Sequence, residues 1–324
     1  MPPHALPDLA DLEAAAALVY RTLVPTPQYA WPQLAAAFGA NVWIKHENHT
    51  AVGAFKVRGG LVYFDGLRRR LPDVAGVISA TRGNHGQSLG FAARRHGLRA
   101  TVLVPHGNSR EKNAAMQSLG VELIEYGNDY QAAREEAQRR ATAQGLHFMP
   151  AFHRDLVRGV ASYWLEFFRA VPDLDVVYVP IGQGSGITAC AAARNALGCK
   201  TRIVGVVSAH APCYALSFAA RRVVEAPVAT QLADGLACRL PDEEALDAIV
   251  ANASEIVQVT DDEVAAAMRL IFTTTHNVAE GAGAAALAAA WQQRARLAGR
   301  KVGLTLTGGN VDADVFARVL AGSA

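Results

Sequence analysis

Lys56 lies in a setting that favours covalent chemistry through its amine. It follows the polar segment 45–54, which closes a predicted strand, and it begins the next helix. A lysine at such a junction lies near the dipole of the helix end and can be partly desolvated. Both effects favour the neutral amine that forms an imine with a carbonyl compound. The alternative is an ordinary solvated lysine.

A second polar turn, at 79–87, follows another predicted strand and opens a helix. It reads Ser-Ala-Thr-Arg-Gly-Asn-His-Gly-Gln. Backbone N–H groups at the start of a helix form an anion site that suits a carboxylate. Taken alone, the segment is equally typical of a glycine-containing turn in which Asn84 caps the helix.

A glycine-rich loop at 180–187, Pro-Ile-Gly-Gln-Gly-Ser-Gly-Ile, again stands between a strand and a helix. Three glycines let the backbone fold around phosphate oxygens, and Ser185 adds a hydroxyl. An NAD-dependent oxidoreductase is the rival interpretation. Its spacing, however, is G-x-G-x-x-G rather than G-x-G-x-G, and no acid stands near Val207, at the end of the next strand, to hold a ribose hydroxyl.

A fourth polar segment, at 306–312, closes the last predicted strand with Leu-Thr-Gly-Gly-Asn-Val-Asp. Thr307 can offer one hydroxyl to a ligand nitrogen. Taken alone, Thr-Gly-Gly-Asn is more typical of a turn.

Short apolar runs that alternate with longer amphipathic stretches position these segments. Runs rich in Val, Ile and Leu predict buried strands at 42–45, 76–79, 101–104, 121–126, 176–180, 203–207, 256–259 and 302–306. Helices are predicted at 84–96, 110–119, 130–144, 186–197, 261–274 and 283–297. This alternation implies an α/β fold with mostly parallel sheets. Loop signals predict a small domain, 75–150, inserted into a large discontinuous domain of residues 1–70 and 151–324.

Composition argues against several classes of function. The chain has 324 residues and a net charge of +2, so we expect no strong field for nucleic acid or for an anionic membrane. No apolar run approaches ~18 residues, and the acidic segment 8–13 argues against a signal peptide. Cys190, Cys199, Cys213 and Cys238 form no C-x-x-C pair and predict free thiols in a reducing compartment. We therefore expect a cytoplasmic protein.

The four polar segments, in this order, resemble the fold-type II family of pyridoxal-phosphate enzymes, and most nearly its threonine/serine dehydratases and serine racemases. The family's motifs S-F-K-x-R-G, S-x-G-N-H and S-G-G-N have counterparts at 54–59, 81–85 and 307–310. The glycine loop, A-D-G and E-x-x-G-A have counterparts at 182–186, 233–235 and 280–284. The resemblance implies two open twisted α/β lobes, with pyridoxal 5'-phosphate between the large cofactor-binding domain and the small substrate-side domain.

The resemblance also implies roles for individual residues. Lys56 is the catalytic lysine that carries the cofactor, Asn84 contacts the cofactor's phenolic oxygen, and Thr307 meets its pyridine nitrogen. The implied cofactor-binding residues are Phe55, Lys56, Asn84, Gly182, Gln183, Gly184, Ser185, Gly186 and Thr307. The implied substrate-binding residues are Thr81, Arg82, Gly83, Asn84 and His85.

Several positions depart from the family's pattern. Ala54 replaces the usual serine, and 159–162 reads Gly-Val-Ala-Ser where G-Q-G-T is common. Arg82 stands where serine racemase places its second-face serine base, which argues against racemisation. Val207 and Cys213 stand where racemase-like members carry metal-binding carboxylates, so we expect no metal at that site.

The implied activity is dehydration of a 3-hydroxy-L-amino acid to a 2-oxo acid and ammonia, with Lys56 removing the Cα proton. The flat cation of Arg82 favours phenylserine or 3-hydroxyaspartate over plain serine and threonine, and the apolar Ala54 and Val160 favour phenylserine over the diacid. If Arg82 instead faces solvent or pairs with a structural acid, the expected substrate is threonine. The alternative is 3-hydroxyaspartate, whose second carboxylate pairs with Arg82. A non-catalytic pyridoxal-phosphate-binding protein is a further rival. The expected partners are an amino acid substrate and a second copy of the chain in a homodimer, with neither nucleic acid nor membrane.

Overall fold

The computed structural model describes residues 5–322 as a series of strand–helix units. The helices are α1 (Leu9–Val19), α2 (Pro32–Phe38), α3 (Lys56–Arg70), α4 (Asn84–Arg95), α5 (Arg110–Ser118), α6 (Tyr130–Gln144), α7 (Arg154–Ala170), α8 (Ser185–Ala196), α9 (Cys213–Ala220), α10 (Glu243–Asn252), α11 (Asp261–Thr275), α12 (Gly281–Gln292) and α13 (Ala313–Ala321). The strands are β1 (Gln28–Ala30), β2 (Asn41–His46), β3 (Gly76–Ala80), β4 (Arg99–Val104), β5 (Glu122–Glu125), β6 (His147–Phe148), β7 (Val176–Pro180), β8 (Arg202–Ser208), β9 (Glu255–Val259) and β10 (Lys301–Leu306).

The larger sheet has six strands in the order β1-β2-β10-β7-β8-β9. β1 pairs antiparallel with β2, and the remaining pairs are parallel. β7 is buried along its whole length, as expected for a strand covered on both faces. The alanine-rich helix α12 packs against β7 and is buried from Gly281 to Ala290, because small side chains let a helix approach a sheet closely.

The smaller sheet has four parallel strands in the order β5-β4-β3-β6. All four strands lie within residues 76–148, inside the segment predicted to form the small domain. The division into two domains itself stays a prediction. Residues 1–4 and 323–324, which the predicted large domain includes, lie outside the described residues.

The predicted secondary structure agrees with the fold except at some helix ends and in elements that the pattern missed. Each predicted strand is present, with small shifts at its ends. The predicted helix 283–297 is wrong at its end: α12 stops at Gln292, and a separate 3-10 turn, Arg294–Arg296, follows. The prediction omitted α1, α2, α7, α9, α10, α13, β1 and β6. Within residues 5–322, no helix is both long and apolar enough to cross a bilayer.

Candidate active site

The four polar segments of the sequence meet at the carboxyl ends of parallel strands. β2, β3, β7 and β10 each lead into one of them, and ligands of α/β proteins bind at this end of the strands. The N–H of Phe55 donates to the carbonyl of Thr307 at 3.0 Å, and Ala54 forms a β-bridge with Gly308. The chain that leads into Lys56 is thereby fixed to the end of β10.

Lys56 begins α3, and its half-buried side chain lines a cavity. Its Nζ lies 4.8 Å from the centroid of the Phe55 ring. Burial lowers the pKa of Lys56 to about 8, although the negative charge of Glu280 opposes this shift. A neutral, nucleophilic amine is therefore accessible near neutral pH, which is what imine formation requires.

A buried ionic network fixes the first turn of α3. Arg58 is fully buried and pairs with Glu47 at 2.7 Å and with Glu166 at 2.6 Å. Glu166 also accepts from the Nζ of Lys45 at 2.5 Å, so α3, α7, β2 and the turn after β2 share one cluster of charges. Because this cluster lies two residues beyond Lys56, it limits the movement of the helix start that carries the amine.

The glycine loop after β7 has the shape of an anion cradle at a helix start. Gly184 adopts a φ of +96° and is the N-cap of α8, which begins at Ser185. A Cβ atom at Gly182 would lie 2.4 Å from the carbonyl oxygen of Gly235, so only glycine fits there. A Cβ at Gly186 would have its nearest neighbour 3.8 Å away, on Phe55, which leaves room for a ligand. The loop and the dipole of α8 together suit a phosphate.

An inner cavity connects this cradle with Lys56. Every residue predicted to bind the cofactor lines it, including Phe55, Asn84 and Thr307. The cavity therefore offers an amine for covalent attachment, a phosphate cradle and the Thr307 hydroxyl, and these groups fit pyridoxal phosphate. The assigned contact of each residue with the cofactor stays a prediction.

The turn after β3 forms one wall of an adjoining outer cavity. Thr81 accepts a hydrogen bond from the N–H of Gly83 at 2.9 Å, which shapes the turn into α4. Asn84 donates to Glu280 at 2.5 Å and accepts from Asn310 at 2.9 Å. Every residue predicted to bind the substrate lines this outer cavity, which shares Lys56 and Asn84 with the inner one.

His85 and Arg82 differ in charge and partners within the outer cavity. Burial and then the positive charge of Lys56 lower the pKa of His85 to about 3, so its imidazole is neutral. Arg82 is half-buried, and among residues 5–322 no acid forms an ion pair with it. Its Nε is buried without a hydrogen-bond partner. Arg82 thus brings an uncompensated cation to the cavity.

Four side chains at the cavities were not predicted from the sequence: three line the outer cavity, Lys112, Tyr130 and Asp234, and one lines the inner cavity, Glu280. Asp234 and Glu280 belong to the A-D-G and E-x-x-G-A motifs, so the resemblance contained a signal for them. Lys112 and Tyr130 lie within or at the start of ordinary amphipathic helices. No local pattern distinguishes them from surface residues.

Two positions taken as evidence for an aromatic substrate lie away from both cavities. Ala54 is fully buried in its bridge with Gly308, and Val160 is 2% exposed within the packed core around α7. A Cβ at Gly159 would lie 2.3 Å from the carbonyl oxygen of Arg58, so 159–162 packs against α3. Ala54 and Val160 therefore give no support to phenylserine over the diacid, and Arg82 alone remains as a substrate-side departure.

The positions expected to lack metal-binding carboxylates hold an apolar and a thiol side chain. Val207 is buried, and the Cys213 thiol donates to the carbonyl of Cys238 at 3.0 Å. Within residues 5–322, no cluster of three or more His, Cys, Asp or Glu side chains could hold a metal ion, and all four cysteines are free.

Comparisons with known proteins place the chain in a family. A family model described as "Pyridoxal-phosphate dependent enzyme" matches residues 19–308. The L-threonine ammonia-lyase of Geobacter sulfurreducens is 32% identical over 283 residues, which cover 87% of this chain and 70% of the relative. The L-threo-3-hydroxyaspartate ammonia-lyase of Saccharomyces cerevisiae is 29% identical over 319 residues, which cover 98% of this chain and 97% of the relative.

Solved structures agree with the sequence relatives. The processed threonine deaminase isoform 2 of Solanum lycopersicum superposes with a TM-score of 0.88 at 26% identity, covering 98% of this chain and 95% of the other. These matches confirm the predicted family, the α/β fold class, the cofactor and the carbon–nitrogen lyase class. The chain belongs to the family of pyridoxal-phosphate dependent enzymes.

Proposed function

We propose that this enzyme dehydrates a 3-hydroxy-L-amino acid to a 2-oxo acid and ammonia, with Lys56 as the catalytic lysine. The observation that carries the proposal is the buried Lys56 amine, whose pKa is lowered to about 8 in a cavity that ends at a phosphate cradle. The relatives named as ammonia-lyases support the same reaction type.

In this mechanism each side chain performs a simple task. Pyridoxal phosphate, when bound, supplies the electron sink for negative charge at Cα. The loop from Gly182 to Gly186 holds the phosphate with backbone N–H groups and the Ser185 hydroxyl, and Thr307 serves the pyridine nitrogen. The neutral Lys56 Nζ would accept the Cα proton, and the hydroxyl at Cβ would leave with one proton as water.

The turn from Thr81 to His85 receives the substrate carboxylate. N–H groups at the start of α4 are free of helical partners and carry the positive end of the helix dipole. Neutral His85 adds no second charge there. Asn84 is held by Glu280 and Asn310, so its amide is fixed where the inner and outer cavities meet.

The substrate side chain faces Arg82 in this proposal. Threonine or serine leaves the guanidinium unpaired, and phenylserine offers it a ring on which to stack. A second candidate, 3-hydroxyaspartate, offers a carboxylate for a two-point contact. The absence of an acidic partner for Arg82 among the described residues favours this candidate, and a relative that bears the name of such an enzyme supports it.

A substrate panel tests the proposal. Purified holoenzyme is assayed for 2-oxo acid with serine, threonine, phenylserine and 3-hydroxyaspartate, and values of kcat/KM are compared because their ratio defines specificity. We expect turnover of at least one of them. We also expect a higher kcat/KM for phenylserine or 3-hydroxyaspartate than for threonine, and we expect this preference to disappear in Arg82→Ala. A protein that binds cofactor but turns over none of the four contradicts the proposed reaction.

We further propose that the enzyme acts in the cytoplasm as a homodimer with two domains per chain, 1–70 with 151–324 and 75–150. The free state of all four cysteines supports the cytoplasm, and the separate four-stranded sheet within 76–148 supports the two domains. Light scattering of the purified protein measures the mass in solution, and a mass of one chain contradicts the dimer.

A further inference from the structure

A buried cation links the substrate turn to the opposite side of the site. Lys112 lies on α5, beside the smaller sheet, whereas Asp234 and Glu280 lie on segments that pack around the larger sheet. The Lys112 Nζ lies 2.9 Å from Asp234 Oδ2 and 2.9 Å from Glu280 Oε2. One side chain thus connects three separate stretches of the chain at the cavity wall.

The charges of this cluster depend on one another. Burial raises the pKa of Glu280, and Lys112 opposes that rise. Burial likewise disfavours the charged form of Lys112, but Glu280 and Asp234 hold its pKa above that of an ordinary lysine. Lys112 therefore stays protonated, and its positive charge favours the ionised form of the buried Glu280 carboxyl.

Glu280 passes this effect to the two groups nearest the cofactor cavity. Its Oε1 accepts from the amide of Asn84 at 2.5 Å, and its negative charge raises the pKa of Lys56 against the effect of burial. A protonated Glu280 would lose its charge and weaken the bond to Asn84. The position of Asn84 and the basicity of Lys56 thus depend on Glu280.

The stem of Lys112 also contacts the substrate turn directly. A Cβ at Gly83 would lie 2.4 Å from Lys112 Cδ, and Gly83 has a φ of +149°. The aliphatic stem therefore lies across the backbone just before α4. A glycine is required there partly because Lys112 occupies the space of a side chain.

We propose that Lys112 is a positioning residue of the reaction, which orders the 81–85 turn with its stem and sets the charge of Glu280 with its amine. The proposal rests on the proposed function. It assigns Lys112 no contact with the reacting atoms. A purely structural residue would hold the two sides together but would leave the titration of Lys56 unchanged.

The test compares Lys112→Met, Lys112→Arg and Asp234→Asn in the cofactor-loaded enzyme. Lys301, whose ion pair with Asp173 is at the surface, provides the control Lys301→Met. Two readouts are used: the pH titration of the absorbance of the protein-bound cofactor, and the separate values of kcat and KM.

We expect Lys112→Met to move the absorbance midpoint to lower pH, because Glu280 without Lys112 takes up a proton and no longer stabilises the protonated form of the Lys56 nitrogen. Asp234→Asn removes a negative charge that raises the pKa of Glu280, so it favours the ionised carboxylate and moves the midpoint to higher pH. We expect kcat/KM to fall about tenfold or more in Lys112→Met, with a fall in kcat, and to recover substantially in Lys112→Arg. Lys301→Met changes neither readout.

Three outcomes would overturn the proposal. One is an unchanged midpoint and activity in Lys112→Met. Another is a shift in the same direction for Lys112→Met and Asp234→Asn, since loosening of the site would hydrate Lys56 in both. The third is a Lys112→Arg variant as impaired as Lys112→Met. If wild-type enzyme turns over no 3-hydroxy amino acid, the proposed function fails, while the absorbance titration still tests Lys112.

Discussion

Gly182→Ala tests whether the loop after β7 is a cofactor cradle shaped by close backbone packing. The added Cβ would lie 2.4 Å from the carbonyl oxygen of Gly235. Ordinary contacts between heavy atoms are about 3.5 to 4.0 Å, so the two segments must separate by about 1 Å or more. Both neighbouring atoms belong to backbone, and no flexible side chain can move aside. Overpacking of this kind costs about 1–3 kcal/mol.

We expect this cost to appear in the affinity for pyridoxal phosphate, because Gly182 and Gly235 both line the inner cavity. A cost of that size weakens binding about 5- to 150-fold. Cofactor binding is measured by equilibrium dialysis and absorbance, and the free energy of unfolding of the cofactor-free protein is measured in urea to separate strain in the fold from loss of the cradle.

Gly198→Ala is the matched control, because Gly198 lies in the turn at the other end of α8. It has a φ of +66° and no atom within 4 Å of a new Cβ. Alanine there costs about 1–2 kcal/mol of stability through its left-handed backbone and leaves the cofactor affinity unchanged. A Gly182→Ala variant with wild-type affinity and wild-type stability would refute the geometry of the cradle.

Four further predictions concern the charged groups. In cofactor-free protein, the rate at which the Lys56 amine reacts with an amine reagent should rise with pH with a midpoint near pH 8, because burial lowers the pKa of Lys56 from 10.5 to about 8. The reaction is followed by mass spectrometry, and a midpoint above pH 10 contradicts this. Since the unfolded state holds that proton up to higher pH, the same shift should make the protein more stable as pH rises from about 8 to about 10. Arg58→Met should lower the free energy of unfolding in urea by about 3–5 kcal/mol, because it leaves two buried carboxylates short of a partner. The control Arg69→Met, at an exposed ion pair, should lower it by about 0–1 kcal/mol, and equal losses would be inconsistent with this account. Chiral analysis should find little or no D-amino acid, because the guanidinium of Arg82 is a poor proton donor, and D-product at a rate comparable to oxo acid would refute this.

The parallel sheets could be predicted from the sequence because their strands are continuous apolar runs between turn signals. β7 shows this most clearly, since its predicted and observed bounds are both 176–180. α7 was not predicted, although apolar residues recur at helical spacing along its segment 154–170 and could have indicated a helix. Its packing against α3 and α8 is visible only in the folded structure.

The candidate site was predictable where turn chemistry marks it and not elsewhere. The glycine loop and the turn at 81–85 carry residues with special backbone needs, and both line the cavities. Lys112 lies 122 residues from Asp234 in the chain, and only the folded structure brings the two together. Val160 was wrongly predicted to lie near the substrate. Its position matches the family pattern, but the sequence does not show that its side chain faces the core.

Covalent attachment of the cofactor tests the central claim most directly. The holoenzyme is reduced with borohydride, digested, and its peptides are mapped by mass spectrometry, with Lys56→Ala as the control. The account predicts the reduced cofactor on the peptide that contains Lys56 and nowhere in Lys56→Ala. Attachment to a different lysine, such as Lys112 in the adjoining cavity, or no attachment in the wild-type protein, would contradict it.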